Sequence, residues 1–147
     1  MKLLTFQAER FAWRPHERTL DVRGSDEYGS APRAELAPQS VSSAVVAFLH
    51  AEPKDEEPAQ RDRALRHATK HIQWLTNKRG LEHVVLHSFT HLSGESAGAA
   101  FAEAWILDLR ARLERKGFIV AVTPFGYTCA WELSVFGESL AKVWKEI

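Results

Sequence analysis

Three short apolar runs alternate with two longer segments whose apolar residues recur every three or four positions, and this order limits the available folds more than any other feature of the chain. The runs are Val45-Val46-Ala47-Phe48-Leu49 within Val41 to His50, Val84-Val85-Leu86 within Leu81 to Phe89, and Phe118 to Val122. Apolar residues at consecutive positions suit strands buried on both faces. Between the runs, Leu65, Ala68, Ile72 and Leu75 mark a helix over Ala59 to Arg79, and Phe101, Trp105, Leu109 and Leu113 mark another over Ala99 to Lys116. Gly80 and Gly117 stand where helices commonly stop. Strand, helix, strand, helix, strand is the order of crossover units. The expected fold class is therefore α/β: a single domain over residues 1–147, with a mixed β-sheet and two main helices packed on it.

The flanks add strands. Lys2 to Phe6 is apolar and Arg10 to Arg14 alternates Phe11 and Trp13 with charged or small residues, which predicts an N-terminal hairpin. Cys129 to Val135 reads as the last strand. Asp21 to Ser40 carries Gly24, Gly29, Pro32 and Pro38 with no apolar period, and is expected to be a long loop, either functional or poorly ordered.

With 147 residues, 45% of them hydrophobic, the chain can bury a core without disulfides, and its single cysteine cannot form an internal one. Nineteen basic and nineteen acidic residues cancel, which excludes a strongly cationic nucleic-acid coat and leaves any RNA contact local. One local basic surface exists on the first helix, where Arg61, Arg63, Arg66, Lys70, Lys78 and Arg79 have only Asp62 beside them. It is either a phosphate contact or a solvated face. The opening Met-Lys-Leu-Leu-Thr-Phe run is too short for a signal sequence or a membrane span, so a soluble cytoplasmic protein with no membrane partner is expected.

His91 follows a core strand and precedes Ser93-Gly94-Glu95-Ser96-Ala97-Gly98, which leads into a helix. A loop of this kind brings free N–H groups and a helix dipole to a carboxylate, phosphate or developing oxyanion; the alternative is a histidine that merely caps the strand. Glu95 either orients His91 or serves as a solvated helix-start acid. Cys129 is a candidate nucleophile with His91 as base, or a small buried apolar residue. Tyr127 and Thr128 bring hydroxyls to the same stretch, and Trp131 is expected in the core. Neither His83, His87 and His91 nor the helix pair His67 and His71 completes a zinc ligand set, so no metal or other cofactor is expected.

The segments Phe89-Thr90-His91-Leu92-Ser93 and Pro124-Phe125-Gly126-Tyr127, with Val45-Val46-Ala47-Phe48 and the closing Gly137 to Ile147, resemble the N-terminal editing domain of archaeal threonyl-tRNA synthetases. The resemblance runs in order along nearly the whole chain and is weakest from Trp13 to Ser40. It implies a D-aminoacyl-tRNA deacylase-like fold and hydrolysis of a mischarged aminoacyl ester, such as seryl-tRNA for threonine, at the tRNA 3′ end. A site that accepts threonine cannot strongly exclude serine, because one methyl is worth about 1–3 kcal/mol. By the same resemblance His91 lies near the ester, Phe89, Thr90, Pro124, Phe125, Gly126, Tyr127 and Thr128 line the pocket, and Ala47 and Phe48 form another wall.

The departures are specific. The family continues Pro-Phe-Gly-Tyr with a tyrosine and a lysine, and this chain has Thr128 and Cys129 there. A family acid aligns with Lys142, which makes Lys142 a candidate catalytic replacement for the missing lysine. Gln7-Ala8-Glu9 stands where relatives have His-Ser-Asp. The expected partners are the aminoacylated 3′ adenosine of tRNA, a threonyl-tRNA synthetase served in trans, and a second copy of the chain. The alternatives are a binding module that has lost catalysis and a Cys129-dependent hydrolase of a small ester or thioester.

Overall fold

In the computed structural model, which describes residues 1–19 and 36–147, the elements run β1 (Lys2–Arg18), β2 (Gln39–His50), α1 (Pro58–Arg79), β3 (His83–Ser88), α2 (Ala99–Glu114), β4 (Ile119–Val122), β5 (Tyr127–Val135) and β6 (Lys142–Glu146). The sheet order is β4-β3-β2-β1-β5, with β6 also paired to β1. β2, β3 and β4 are parallel, and β1 is antiparallel to β2, β5 and β6.

Two successive crossovers that step in one direction across a sheet, both right-handed, put their helices on the same face. Accordingly Ala64, Leu65, Ala68, Ile72 and Leu75 of α1 and Trp105, Leu109 and Leu113 of α2 share one core with Val45, Ala47, Leu49, Val84 and Leu86. α1 stops at Gly80, whose φ of +66° is the left-handed value that glycine adopts without strain. The sheet's other face carries a second cluster, Ala8, Phe11, Trp13, Ala44, Val46, Phe48 and Val85. No helix among the described residues is long and apolar enough to cross a membrane.

Three expectations need correction. The N-terminal hairpin is one strand of 17 residues. No turn residue lies between its two apolar runs, and the break in alternation is a bulge at Glu9 against β5, beside which Glu9 and Ser43 (φ 53°) drop out of the β1–β2 pairing with no change of register. β6 was not anticipated: Lys142–Glu146 is a five-residue segment with three charged residues, and its pairing with Lys2–Phe6 makes it a strand. Finally, Gln39 and Ser40 already belong to β2, and the rest of the Asp21 to Ser40 excursion lies, through residue 35, outside the described residues.

Candidate active site

Parallel strands place ligand sites beyond their carboxyl ends, and here β3 and β4 end at a cavity of about 440 Å³. It is walled by Ser88 to His91 after β3, by Ala97, Ala99 and Ala102 at the start of α2, and by Thr123 to Cys129 with Trp131. The Pro124-Phe125-Gly126-Tyr127 turn closes one side. Its Gly126 has φ +79°, which a side chain would strain, and its carbonyl accepts a hydrogen bond from the Thr19 amide at 2.8 Å.

The loop after β3 is tied down by a residue the sequence reading passed over. His50, the buried last residue of β2, accepts the Leu92 amide at Nδ1 (3.0 Å), so its proton sits on Nε2, which meets the Glu95 carbonyl (3.0 Å) and the Ser96 hydroxyl (3.1 Å). Ser93 is held in turn by Lys2 (2.9 Å) and by the Glu52 carboxylate (3.0 Å). Burial works to raise the Glu52 carboxyl, but hydrogen bonds from the Met1 ammonium, Ser93 and Lys54 hold it at about 2. The Ala97 amide bonds the Ala51 carbonyl and the Gly98 amide bonds Glu56. Ahead of His91 the Phe89 amide bonds the Leu49 carbonyl at 2.9 Å, so the loop is pinned on both sides of His91.

His91 is exposed at the rim, its ring edge-on to Phe89 at 5.1 Å. Behind it the first α2 amides, those of Ala99, Ala100 and Phe101, precede the first intrahelical bond, Ala102 to Gly98, and so have no helical acceptor. Ala99 lines the cavity, so this positive helix end meets the same space as His91.

The floor is a second histidine. His87 and Thr123 are both buried, joined at 2.8 Å through His87 Nδ1, and His87 is packed edge-on to Phe48 at 4.9 Å. Burial alone pushes the imidazole down to about 4, so it is neutral near pH 7. The sequence weighed His87 only as a metal ligand; the spacing His87, Phe89, His91, alternate residues of an extended segment, was the available signal for a shared face.

Other expected site residues fare differently. Phe89, Thr90, Pro124, Phe125, Gly126, Tyr127 and Thr128 do line the cavity, and Thr128 also exchanges hydrogen bonds with the Glu17 backbone. Phe48 backs the wall through rings of His87, Phe89 and Trp131, whereas Ala47, one residue earlier, faces the helices. Trp131 is not in the core: it is 45% exposed and forms part of the cavity wall. Lys142 is not in the lining at all. It opens β6 opposite Phe6, with its ammonium 3.4 Å from the Phe136 carbonyl. Cys129 lines the cavity but is half-buried, its thiol has no hydrogen-bond partner among the described residues, and burial raises the thiol pKa, the reverse of what activates a nucleophile. Glu95 meets His50 through its backbone carbonyl, and among the described residues no hydrogen bond or ion pair joins its carboxylate to His91. Among the described residues no three His, Cys, Asp or Glu side chains gather as a metal site. On α1, Arg61 is paired with Asp108 and Arg79 with Glu138, partners that sequence proximity did not reveal.

All 147 residues match the model of the archaea-specific editing domain of threonyl-tRNA synthetase. The chain belongs to this family. Its editing-domain relatives include the threonine–tRNA ligases of Pyrobaculum calidifontis, 30% identical over 97% of this chain and 22% of that protein, and of Methanosphaera stadtmanae, 25% identical over 100% and 22%. The chain spans about a fifth of the length of these curated relatives. Among solved structures, the c-Myc DNA unwinding element binding protein matches with a TM-score of 0.70 over 100% of this chain and 99% of that one, at 11% identity, a likeness of fold alone. That fold is the D-aminoacyl-tRNA deacylase-like one. An editing domain of this family hydrolyses mischarged aminoacyl-tRNA.

Proposed function

We propose that this editing domain removes a wrongly attached amino acid, serine in the first instance, from the 3′ end of threonine tRNA. The observation that carries the reading is the convergence, in one cavity at the strand ends, of an exposed imidazole at the rim and unbonded helix amides behind it. A water placed by His91 attacks the ester carbonyl, and the imidazole takes its proton, a contribution of about 10²–10⁴-fold. The tetrahedral oxyanion is met by the amides that open α2, and the ribose oxygen leaves with a proton. Phe89, Phe125, Tyr127 and Trp131 offer the apolar surface that a terminal adenosine stacks on. Cys129 and Lys142 have no step in this scheme.

The natural setting proposed with it is the cytoplasm, where charged tRNA is found, with action beside a threonyl-tRNA synthetase and pairing of two copies of the chain. Incubation with seryl-, threonyl- and D-aminoacyl-tRNA tests the reading. The expected result is release of serine that His91→Ala abolishes and Cys129→Ser does not; tRNA binding without hydrolysis would instead mark a binding module. Sedimentation tests the pairing.

A further inference from the structure

The catalytic scheme uses the rim of the cavity and leaves its floor unexplained. His87 is 6% exposed and Thr123 is 4% exposed, the most deeply enclosed polar pair in the lining. Nδ1 of His87 is committed to the Thr123 hydroxyl, and Nε2 has no partner among the described residues. Nor is Nε2 sealed off: the buried polar side-chain atoms left unpaired are those of Trp13, Asp55 and Trp105. A ring held at one nitrogen, clamped by Phe48 and Phe89, and open only at the other is oriented in advance for one hydrogen bond with whatever fills the cavity. Ala97, Ala99, Ala102 and Pro124 offer no side-chain donor or acceptor, and the hydroxyls of Thr19, Ser88, Thr90, Ser96, Tyr127 and Thr128 belong to less buried residues of the lining.

We infer that His87 is the specificity-determining residue of this site, and that its free Nε2 hydrogen-bonds the side-chain hydroxyl of the aminoacyl group. The inference rests on the deacylase reading above and goes beyond it, because it separates the residue that selects the amino acid from the one that activates water. A site with a buried polar group aimed at a hydroxyl rejects an analogue that lacks it, since the group is then left unpaired. Seryl esters are therefore favoured over alanyl esters, which are the same size but for the oxygen. Thr123 acts through His87, as a positioning residue that holds the ring.

The test compares seryl and alanyl substrates on the wild-type protein, His87→Phe, His87→Gln and the double variant His87→Phe/Thr123→Val, which removes both members of the buried pair and so avoids stranding the threonine hydroxyl. Hydrolysis of the two aminoacyl-tRNAs is measured together with binding of the non-hydrolysable 3′-seryl-amido and 3′-alanyl-amido adenosines by calorimetry. The expected result is a wild-type preference for the seryl compounds, lost by tenfold or more in both phenylalanine variants through weaker seryl binding, with part of the preference restored by glutamine. An unaltered seryl-to-alanyl ratio in folded His87→Phe/Thr123→Val overturns the inference and leaves the deacylase reading standing. A wild-type protein that hydrolyses neither substrate and binds neither analogue overturns both.

Discussion

His71 and His87 are buried to the same degree, each bonded to a threonine and each with a pKa near 4, yet they belong to different parts of the molecule's work. His71 lies on α1 between the helix layer and the sheet. Its Nε2–H donates to Thr5, whose own hydroxyl proton goes to the Val143 carbonyl, so this contact joins α1, β1 and β6. Burial lowers its pKa, and the Lys145 ammonium adds to the effect. His87 makes the same kind of bond at the end of β3, but beyond it lies a cavity instead of a neighbouring strand. The difference teaches that a depressed pKa with a satisfied partner does not mark a site. What marks it is a second ring nitrogen open to space that a ligand can fill.

The largest effect is expected outside the pair, at the rim: His91→Ala lowers kcat for ester hydrolysis by about 10²–10⁴-fold with little change in stability. Single-turnover kinetics and thermal melting measure the two sides. Next, both buried histidines resist protonation, their ordinary value of 6.5 being lowered to about 4 in the fold. Each is neutral in both states above pH 6.5. As pH falls from 6.5 toward 4 the unfolded chain takes up protons the folded chain refuses, so stability is lost across that window. The loss reaches at most about 3 kcal/mol per histidine. Urea midpoints between pH 7 and 4.5 should fall for the wild type and flatten in a His71→Phe/His87→Phe double variant; a parallel fall in both would end the argument.

His71→Phe alone should cost about 1 kcal/mol, because Thr5 keeps Val143 as its partner, and should leave hydrolysis within about twofold of wild type. A change in seryl preference there would erase the distinction between the two histidines. The smallest effect is expected at the turn. Gly126→Ala forces a side chain into φ +79°, costing about 1 kcal/mol, and should raise KM more than it lowers kcat, since the turn shapes the wall and takes no proton.

Much of the fold was legible because its signals are local. The consecutive apolar residues of Val45 to Leu49 and the stripe Leu65, Ala68, Ile72, Leu75 are set by periodicity, and Gly80 by its tolerance of a left-handed backbone. The candidate site was legible where a loop announces itself: Phe89 to Ser93 and Pro124 to Tyr127 are strand-end segments, and Phe89 to His91 of the first and all four residues of the second line the cavity. Lys142 was misplaced because a reciprocal exchange of charge along the chain says nothing about distance, and the position lies across the sheet from the cavity on β6. Ala47 failed for a different reason. Strand alternation sends neighbours to opposite faces, and choosing which of Ala47 and Phe48 faces the cavity requires knowing which side the helices cover.

Periodicity and turn chemistry act over a few residues, and they were enough to set the central alternation of strands and helices from β2 to β4, the α/β class, the family and the two loops that carry the site. Tertiary structure alone decided the roles of individual side chains. His50 became a loop anchor only when β2 and the loop after β3 ended side by side, and Cys129 was set aside as a nucleophile because its half-buried thiol is raised, not lowered. His87 became the floor of a cavity because β4 delivered Thr123 to its Nδ1 and left its other nitrogen open. Such contacts join residues 36 or more positions apart, and desolvation depends on everything that surrounds a group, so neither quantity is written in a stretch of neighbouring residues.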